Sequence, residues 1–311
     1  MHETASRRAA ATTITMYTNN SDERRGCASS RFLVPALLVA PALRPGISSV
    51  RAYVPPWEVW YDLRDGRRTR GDAEGWAILA APLTAPPPVL LRGGHVLPSL
   101  LPGVGAGRGG ARATTNDAPG VLTLTVALPP LPESQGATAN IGGAAGSLFW
   151  DDGESLDAGT GLWYALAAGQ EVMGAREGEE GADPRSDRRG WLNVTHVGGG
   201  GGGGGYAAPL CVQSVQVLGA SGLADPNPDV AGLADLQDQS MGSTPLAFHC
   251  TITVLPVPGV AGEPTPSCAL DAALDSLSID LGACLTLRVG ESGAALSVSW
   301  ELLEDHRAGE L

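Results

Sequence analysis

Asp151 and Asp152 are the residues whose type and spacing first invite a chemical reading. Two carboxyl groups can divide the work of hydrolysis, one acting as base or nucleophile while the other donates a proton. Glu154 and Asp157 follow closely, and Glu58 lies far upstream. Neighbours in an extended chain, however, point to opposite faces, so Asp151 and Asp152 cannot easily flank one bond. Their setting gives them a plainer role. Leu148-Phe149-Trp150 runs into Asp151-Asp152-Gly153-Glu154-Ser155, and Leu162-Trp163-Tyr164-Ala165-Leu166 returns. That is a β-hairpin pattern: Asp oxygens satisfy turn N–H groups and glycine supplies φ > 0. Trp150, Asp151, Asp152 and Gly153 are therefore read as a structural hairpin, and Glu154, Asp157 and Glu58 as solvated.

The other reactive types are scattered. His95 sits in an apolar strand, and His196 and His249 lie on strands with no Ser or Cys motif beside them. Cys27, Cys211, Cys250, Cys268 and Cys284 show no C-x-x-C spacing, so no zinc site is readable. The last four can pair in an oxidising compartment or remain partly buried thiols. The eight glycines from 198 to 205 have no following Lys and no helix start, so they form no phosphate loop. Trp57, Trp60, Tyr61 and Trp76 can stack on sugar rings, although aromatics in small sandwiches are usually core. Asn193-Val194-Thr195 and Asn19-Asn20-Ser21 fit the N-glycosylation rule. No catalytic residue, metal ligand or cofactor-binding residue is assigned, and no cofactor is expected.

The elements that must position these residues are strands. Leu122, Leu124, Val126 and Leu128 alternate with smaller or polar residues. So do Val215 and Val217, then Leu277, Ile279 and Leu281, then Leu285, Leu287 and Val289, and finally Leu296, Val298 and Trp300. Period two marks strands with one face buried and one wet. No helical pattern intervenes, and the fold class expected is all-β, two tandem β-sandwiches. Residues 1–30 are polar and aperiodic, and disorder is expected there. Residues 31–101 form the first sandwich, 102–111 a Gly-rich linker, 112–302 the second sandwich and 303–311 a tail. The charged stretch 171–190 and the glycines of 198–205 are expected as mobile inserts around a short strand, Trp191 to Val197. Long loops are expected at 219–247 and 256–270.

Bulk properties narrow the function classes. The chain has 311 residues, a formal net charge of −13 and a pI near 4.7. An acidic chain lacks the basic face that nucleic acid requires. All twenty basic residues are Arg, a compositional habit rather than a site. The longest apolar run, Phe32 to Leu43, has twelve residues and two prolines, too short for a membrane span of about 20. Ala40-Pro41-Ala42 imitates a signal-peptidase site, but a buried strand and turn explains the flanks better.

Several segments carry a family resemblance. The octamer Leu148 to Ser155 resembles the LFWDDGES hairpin of glycoside hydrolase family 31, the α-glucosidase and maltase family. Arg31 to Leu43 resembles the segment where that family's chain leaves its catalytic barrel. Val50 to Val54 with Val59-Trp60-Tyr61-Asp62-Leu63 resembles the next strand pair. Leu90-Leu91-Arg92-Gly93-Gly94-His95-Val96-Leu97-Pro98 resembles its Arg-Gly-Gly strand, with His95 where Tyr is usual. These occur in the family's order, across roughly 31–302, and thin after residue 170.

The resemblance implies the two C-terminal β-sandwiches of such an enzyme, closest to the lysosomal acid α-glucosidase and maltase-like branch. It implies a (β/α)₈ barrel as partner, normally in the same polypeptide, and a secretory or lysosomal setting. The family's nucleophile motif, Trp-Ile-Asp-Met-Asn-Glu, does not occur here. Only thirty residues precede the first match, and a barrel needs about 250. The expectation is a non-catalytic region. The alternative is a stand-alone module of structural or carbohydrate-binding type, with α-glucan as its candidate ligand.

Overall fold

A computed structural model describes residues 31–33, 36–100, 120–129, 140–150, 161–172, 188–199, 210–220, 248–254, 265–271, 274–287 and 294–304. Every regular element among them is a strand. The strands are β1 (Arg31–Leu33), β2 (Leu37–Val39), β3 (Ser49–Tyr53), β4 (Trp60–Asp62), β5 (Arg68–Thr69), β6 (Trp76–Ala80), β7 (Val89–Arg92), β8 (His95–Leu100) and β9 (Gly120–Ala127). They continue with β10 (Asn140–Trp150), β11 (Leu162–Val172), β12 (Arg188–Gly199), β13 (Leu210–Leu218), β14 (Phe248–Val254), β15 (Ser267–Asp271), β16 (Ser276–Thr286) and β17 (Ala294–Glu304). The all-β expectation holds. The chain divides into two compact units after His95. The sequence placed the division near 101, but β8 pairs within the sheet of the second unit.

The first unit has a five-stranded sheet, ordered β1-β2-β7-β4-β5, and a two-stranded sheet, β3-β6. On β3, Val50 and Ala52 are buried while Ser49 and Arg51 are exposed. This period-two pattern places Val50, Ala52, Leu79, Leu38, Trp60 and Leu90 in one apolar cluster. Phe32 to Leu43 contributes β1 and β2 in antiparallel pairing, with Leu38 and Ala40 fully buried. A strand and turn, rather than a leader-peptide core, is what this run forms.

The second unit is one ten-stranded sheet, ordered β14-β17-β12-β11-β10-β8-β9-β13-β16-β15. Its two edge strands, β14 and β15, lie against each other. Leu192 and Val298 from one half of the sheet share a core with Val217 and Ile279 from the other. A sheet whose edges meet and whose halves share one core is folded on itself, which is how a sandwich buries its apolar faces.

Several sequence expectations change here. The strand at Trp191 to Val197 is a twelve-residue strand, β12, so 188–190 and 198–199 belong to the sheet rather than to mobile inserts. Glu171 and Val172 close β11. Both strands lie inside the sheet, where pairing on each side extends them past the point at which apolar alternation stops. The loop expected at 256–270 contains most of β15. The tail expected from 303 begins inside β17. β9 is buried on both faces rather than one, including Thr125. It lies between β8 and β13, and the Thr123 hydroxyl is satisfied by Ser214 Oγ at 2.8 Å. The N-terminal 1–30 and the linker 102–111 lie outside the described residues, as do the greater parts of 171–190, 198–205 and 219–247.

Candidate functional site

The aromatic residues near the start of the chain separate into two groups. Trp60 and Tyr61 sit side by side on β4, a strand buried on both faces, and neither is open to a ligand. Trp60 joins the apolar cluster, and the Arg68 guanidinium stands 6.0 Å from the Tyr61 ring centre. Trp76 is half-buried at the start of β6. Its position follows from a local turn. Asp72 Oδ1 accepts the backbone N–H of Trp76 at 2.7 Å and of Glu74 at 3.1 Å. Gly75 closes this turn with φ of +85°, and a Cβ there would meet the Tyr53 ring at 2.5 Å.

The outward face of the two-stranded sheet follows from its register, which sets Tyr53 opposite Trp76 and Arg51 opposite Ile78. Tyr53 meets Trp76 edge-on at 5.7 Å, and the Arg51 guanidinium lies 4.3 Å from the Trp76 ring centre. Ile78 on this face is 79 % exposed. Trp57, in the loop after β3, is 73 % exposed. Sequence reading named Trp57 and Trp76 but missed Arg51 and Tyr53. Their alternation with buried Val50 and Ala52 was the available signal.

The charged residues of the first unit fasten it together. The Asp62 carboxylate accepts from Arg64 N at 2.9 Å, from Nε at 2.9 Å and from NH2 at 2.6 Å. Arg64 NH1 also donates to the Ala80 carbonyl at 2.7 Å, linking the end of β4 to the end of β6. The hydrogen bonds to Asp62 hold the Arg64 guanidinium above its ordinary range, against the opposing pull of burial. Glu58, read as solvated, is half-buried and ion-paired with Arg92. His95 rests its Nδ1 3.2 Å from the Gly93 carbonyl, as part of the turn between β7 and β8.

In the second unit the hairpin stems are present. β10 and β11 pair antiparallel, with Trp150 opposite Leu162, Phe149 opposite Trp163 and Leu148 opposite Tyr164. Trp150 is buried in the main core, and a Cβ on Gly120 would strike its ring at 2.8 Å. On the other face, the Phe149 and Trp163 rings lie 4.5 Å apart. Asp151, Asp152 and Gly153, like Glu154 and Asp157, lie outside the described residues. Asn193 occupies the middle of β12, between Ala167 of β11 and Ser297 of β17. Its Oδ1 accepts the Ser297 hydroxyl at 2.6 Å. Tyr164 is fully buried and its hydroxyl has no partner among the described residues; burial pushes its pKa up.

The carboxylates make no catalytic constellation among the described residues. Asp62 and Glu58 are ion-paired, as are Asp65 with Arg67 and Glu301 with Arg189. Asp72, Asp271 and Asp280 accept backbone N–H groups in turns. No group of three or more His, Cys, Asp or Glu able to hold a metal occurs among the described residues. No helix of the described residues is long and apolar enough to cross a membrane.

Comparison with known proteins bears on this arrangement. Residues 12–97 match the model of the glycosyl hydrolase family 31 C-terminal domain. Intestinal sucrase-isomaltase of Rattus norvegicus is 36 % identical over 126 residues, which are 40 % of this chain and 6 % of that protein. Lysosomal alpha-glucosidase of the same species is 32 % identical over 139 residues, 39 % of this chain and 12 % of that protein. Among solved structures, a family 31 dextranase of Flavobacterium johnsoniae complexed with glucose covers 89 % of this chain at 13 % identity and a TM-score of 0.47, using 27 % of its own length. The chain thus spans a small fraction of the relatives it matches.

Proposed function

We propose that this chain is the non-catalytic C-terminal part of an α-glucosidase-like enzyme of glycoside hydrolase family 31. The match over residues 12–97 carries this reading. The engagement of Glu58, Asp62, Asp65, Asp72, Asp271, Asp280 and Glu301 in ion pairs and turns supports it. Retaining glycosidases hold two carboxyl groups about 5–5.5 Å apart across one glycosidic bond. In this reading such a pair, and the sugar pocket, come from a (β/α)₈ barrel of the same polypeptide. The β-domains brace that barrel. The parent enzyme releases terminal α-linked glucose from maltose- or starch-like substrates, in a secretory or lysosomal setting.

The transcript upstream of Met1 tests the proposal. The expected result is an open frame running back into a barrel that carries a Trp-Ile-Asp-Met-Asn-Glu-like motif. An in-frame stop would make the chain a separate module. A second measurement bears on the chain itself. Incubated with maltose and a chromogenic α-glucoside, the purified chain is expected to give no turnover above background. Turnover lost on mutating one of its own carboxylates would reveal an active site in the chain.

A second reading, a carbohydrate-binding module for α-glucan, has one specific observation behind it: Trp57 is exposed in the loop after β3, and the outward face of β3-β6 carries Trp76, Tyr53 and Arg51. Flat aromatic surfaces with a polar handle suit such contacts. Quenching of Trp fluorescence by maltooligosaccharides, abolished in Trp57→Ala, is the result this reading requires.

A further inference from the structure

The ladder between β13 and β16 breaks at one point. Val212 pairs with Leu285, and the next described pair is Ser214 with Asp280. One residue of β13, Gln213, therefore faces four of β16, Leu281 to Cys284. An ordinary bulge sets two residues against one. Leu281 and Leu285, at the two ends of this larger one, are both buried in the core, while Gly282 between them is exposed. Its bend is made by Gly282 with φ of +71°, whose N–H donates to Asp280 Oδ1 at 2.9 Å. A Cβ on Gly282 would meet the Thr265 carbonyl oxygen at 2.6 Å.

Four residues withdrawn from the ladder carry an ordering cost with fewer hydrogen bonds in return. At this place the structure supplies a covalent tie. Cys284 closes the bulge and is bonded to Cys211 of β13, with Cα atoms 5.4 Å apart and a sequence separation of 73. That Cα spacing suits a disulfide without backbone movement. Cys211 is almost fully buried. Cys268 on β15, the strand on the far side of β16, is disulfide-bonded as well. The β13-β16-β15 end of the sheet thus holds a disulfide-bonded cysteine on each of its three strands.

We propose that Cys211 and Cys284 form an oxidation site that locks the β16 bulge, and that the second unit reaches this register only in an oxidising compartment. The reaction is thiol–disulfide exchange. The Cys211 and Cys284 thiols lose two protons and two electrons as the S–S bond forms. A disulfide donor, protein or low-molecular-weight, is reduced to two thiols. Such bonds persist in secreted and lumenal proteins and are rare where thiols are kept reduced. This inference rests on the bulge and the cysteines and is independent of the proposed parent activity.

The full chain, secreted from a eukaryotic host, would be alkylated under native conditions without reductant and mapped by mass spectrometry. The expected result is a linked Cys211–Cys284 peptide pair. Hydrogen exchange would then be followed with and without dithiothreitol on the folded protein, and on Cys211→Ala/Cys284→Ala where that variant folds. Breaking the bond is expected to lower protection in Val215 to Leu218 and Leu277 to Asp280 by at least about thirtyfold, the lower end of what a native disulfide supplies. Protection in Leu192 to Thr195 of β12 is expected to hold. Alkylation of both cysteines in the folded protein would overturn the proposal. So would a linked pair whose reduction leaves exchange in β13 and β16 unchanged.

Discussion

In the first unit β4 has three residues and β5 has two, whereas β10, β11, β16 and β17 of the second unit each have eleven. Strands that short gain little from their own ladder. The first unit compensates with side chains that only certain residues can supply: Asp62 gripping Arg64, Glu58 on Arg92, and Asp72 organising the turn that aims Trp76. The second unit draws on long antiparallel pairing and one large apolar core, for which alternation of any apolar and polar residues suffices. The family model matches 12–97, which is chiefly the first unit. A fold held by particular turn and ion-pair residues leaves a readable sequence signature. A fold held by alternation leaves a pattern that many unrelated sequences share.

The largest test of this contrast is a core truncation in each unit. Trp60 and Trp300 are both essentially fully buried, in separate apolar clusters. Replacing either with Ala is expected to cost about 3–5 kcal/mol. Hydrogen exchange should localise the damage, with Trp60→Ala exposing β2, β4 and β7 and Trp300→Ala exposing β12 and β17. Loss of protection in both units from one substitution would show that they unfold as one body and that the contrast between them is superficial.

A smaller effect is expected at Asp62, and it sharpens the claim about specific side chains. Its carboxylate is nearly buried, and it receives several hydrogen bonds from one arginine. Asp62→Ala strands a partly covered guanidinium and is expected to cost about 1–3 kcal/mol. The pair Arg189–Glu301 in the second unit is more exposed. Arg189→Ala should cost no more than about 1 kcal/mol. Denaturation midpoints decide the matter: equal losses at the two sites would remove the distinction drawn here.

How much was legible follows the same division. The strand run at Phe32 to Leu43, the burial of Trp60 and Tyr61 as core, and the β10-β11 pairing through Trp150 could be read because apolar runs ended at turn residues. The length of β12 could not, because Arg188, Arg189 and Gly190 show no apolar alternation and are held by neighbours on both sides. Burial of Thr125 was hidden for a related reason. A central strand loses its wet face when the sheet folds over it, and local alternation carries no information about that. Glu58 looked solvated because its partner Arg92 is 34 residues away. The Cys211–Cys284 pairing was one option among several, since connectivity depends on register rather than spacing.

The smallest effect concerns the cost of burial without a partner. Tyr164 lies opposite Leu148 in the β10-β11 ladder, with its ring edge-on to His196 at 5.5 Å and its hydroxyl unpaired among the described residues. Tyr164→Phe keeps the ring and removes only that hydroxyl. Stability at neutral pH is expected to stay level or rise by about 1 kcal/mol. The pH dependence has a definite sign. Burial raises the folded-state pKa of Tyr164, while the unfolded chain ionises near pH 10. The neutral folded form therefore contributes fully below about pH 10, and its contribution is lost as pH rises from there toward the folded pKa. The Phe variant lacks this loss, so its advantage over the parent should widen above pH 10. Urea midpoints of both proteins at pH 7 and above pH 10 measure it. A variant less stable than the parent by about 1 kcal/mol at pH 7 would mean that the hydroxyl has a partner after all, and that the large core is as dependent on particular polar contacts as the small one.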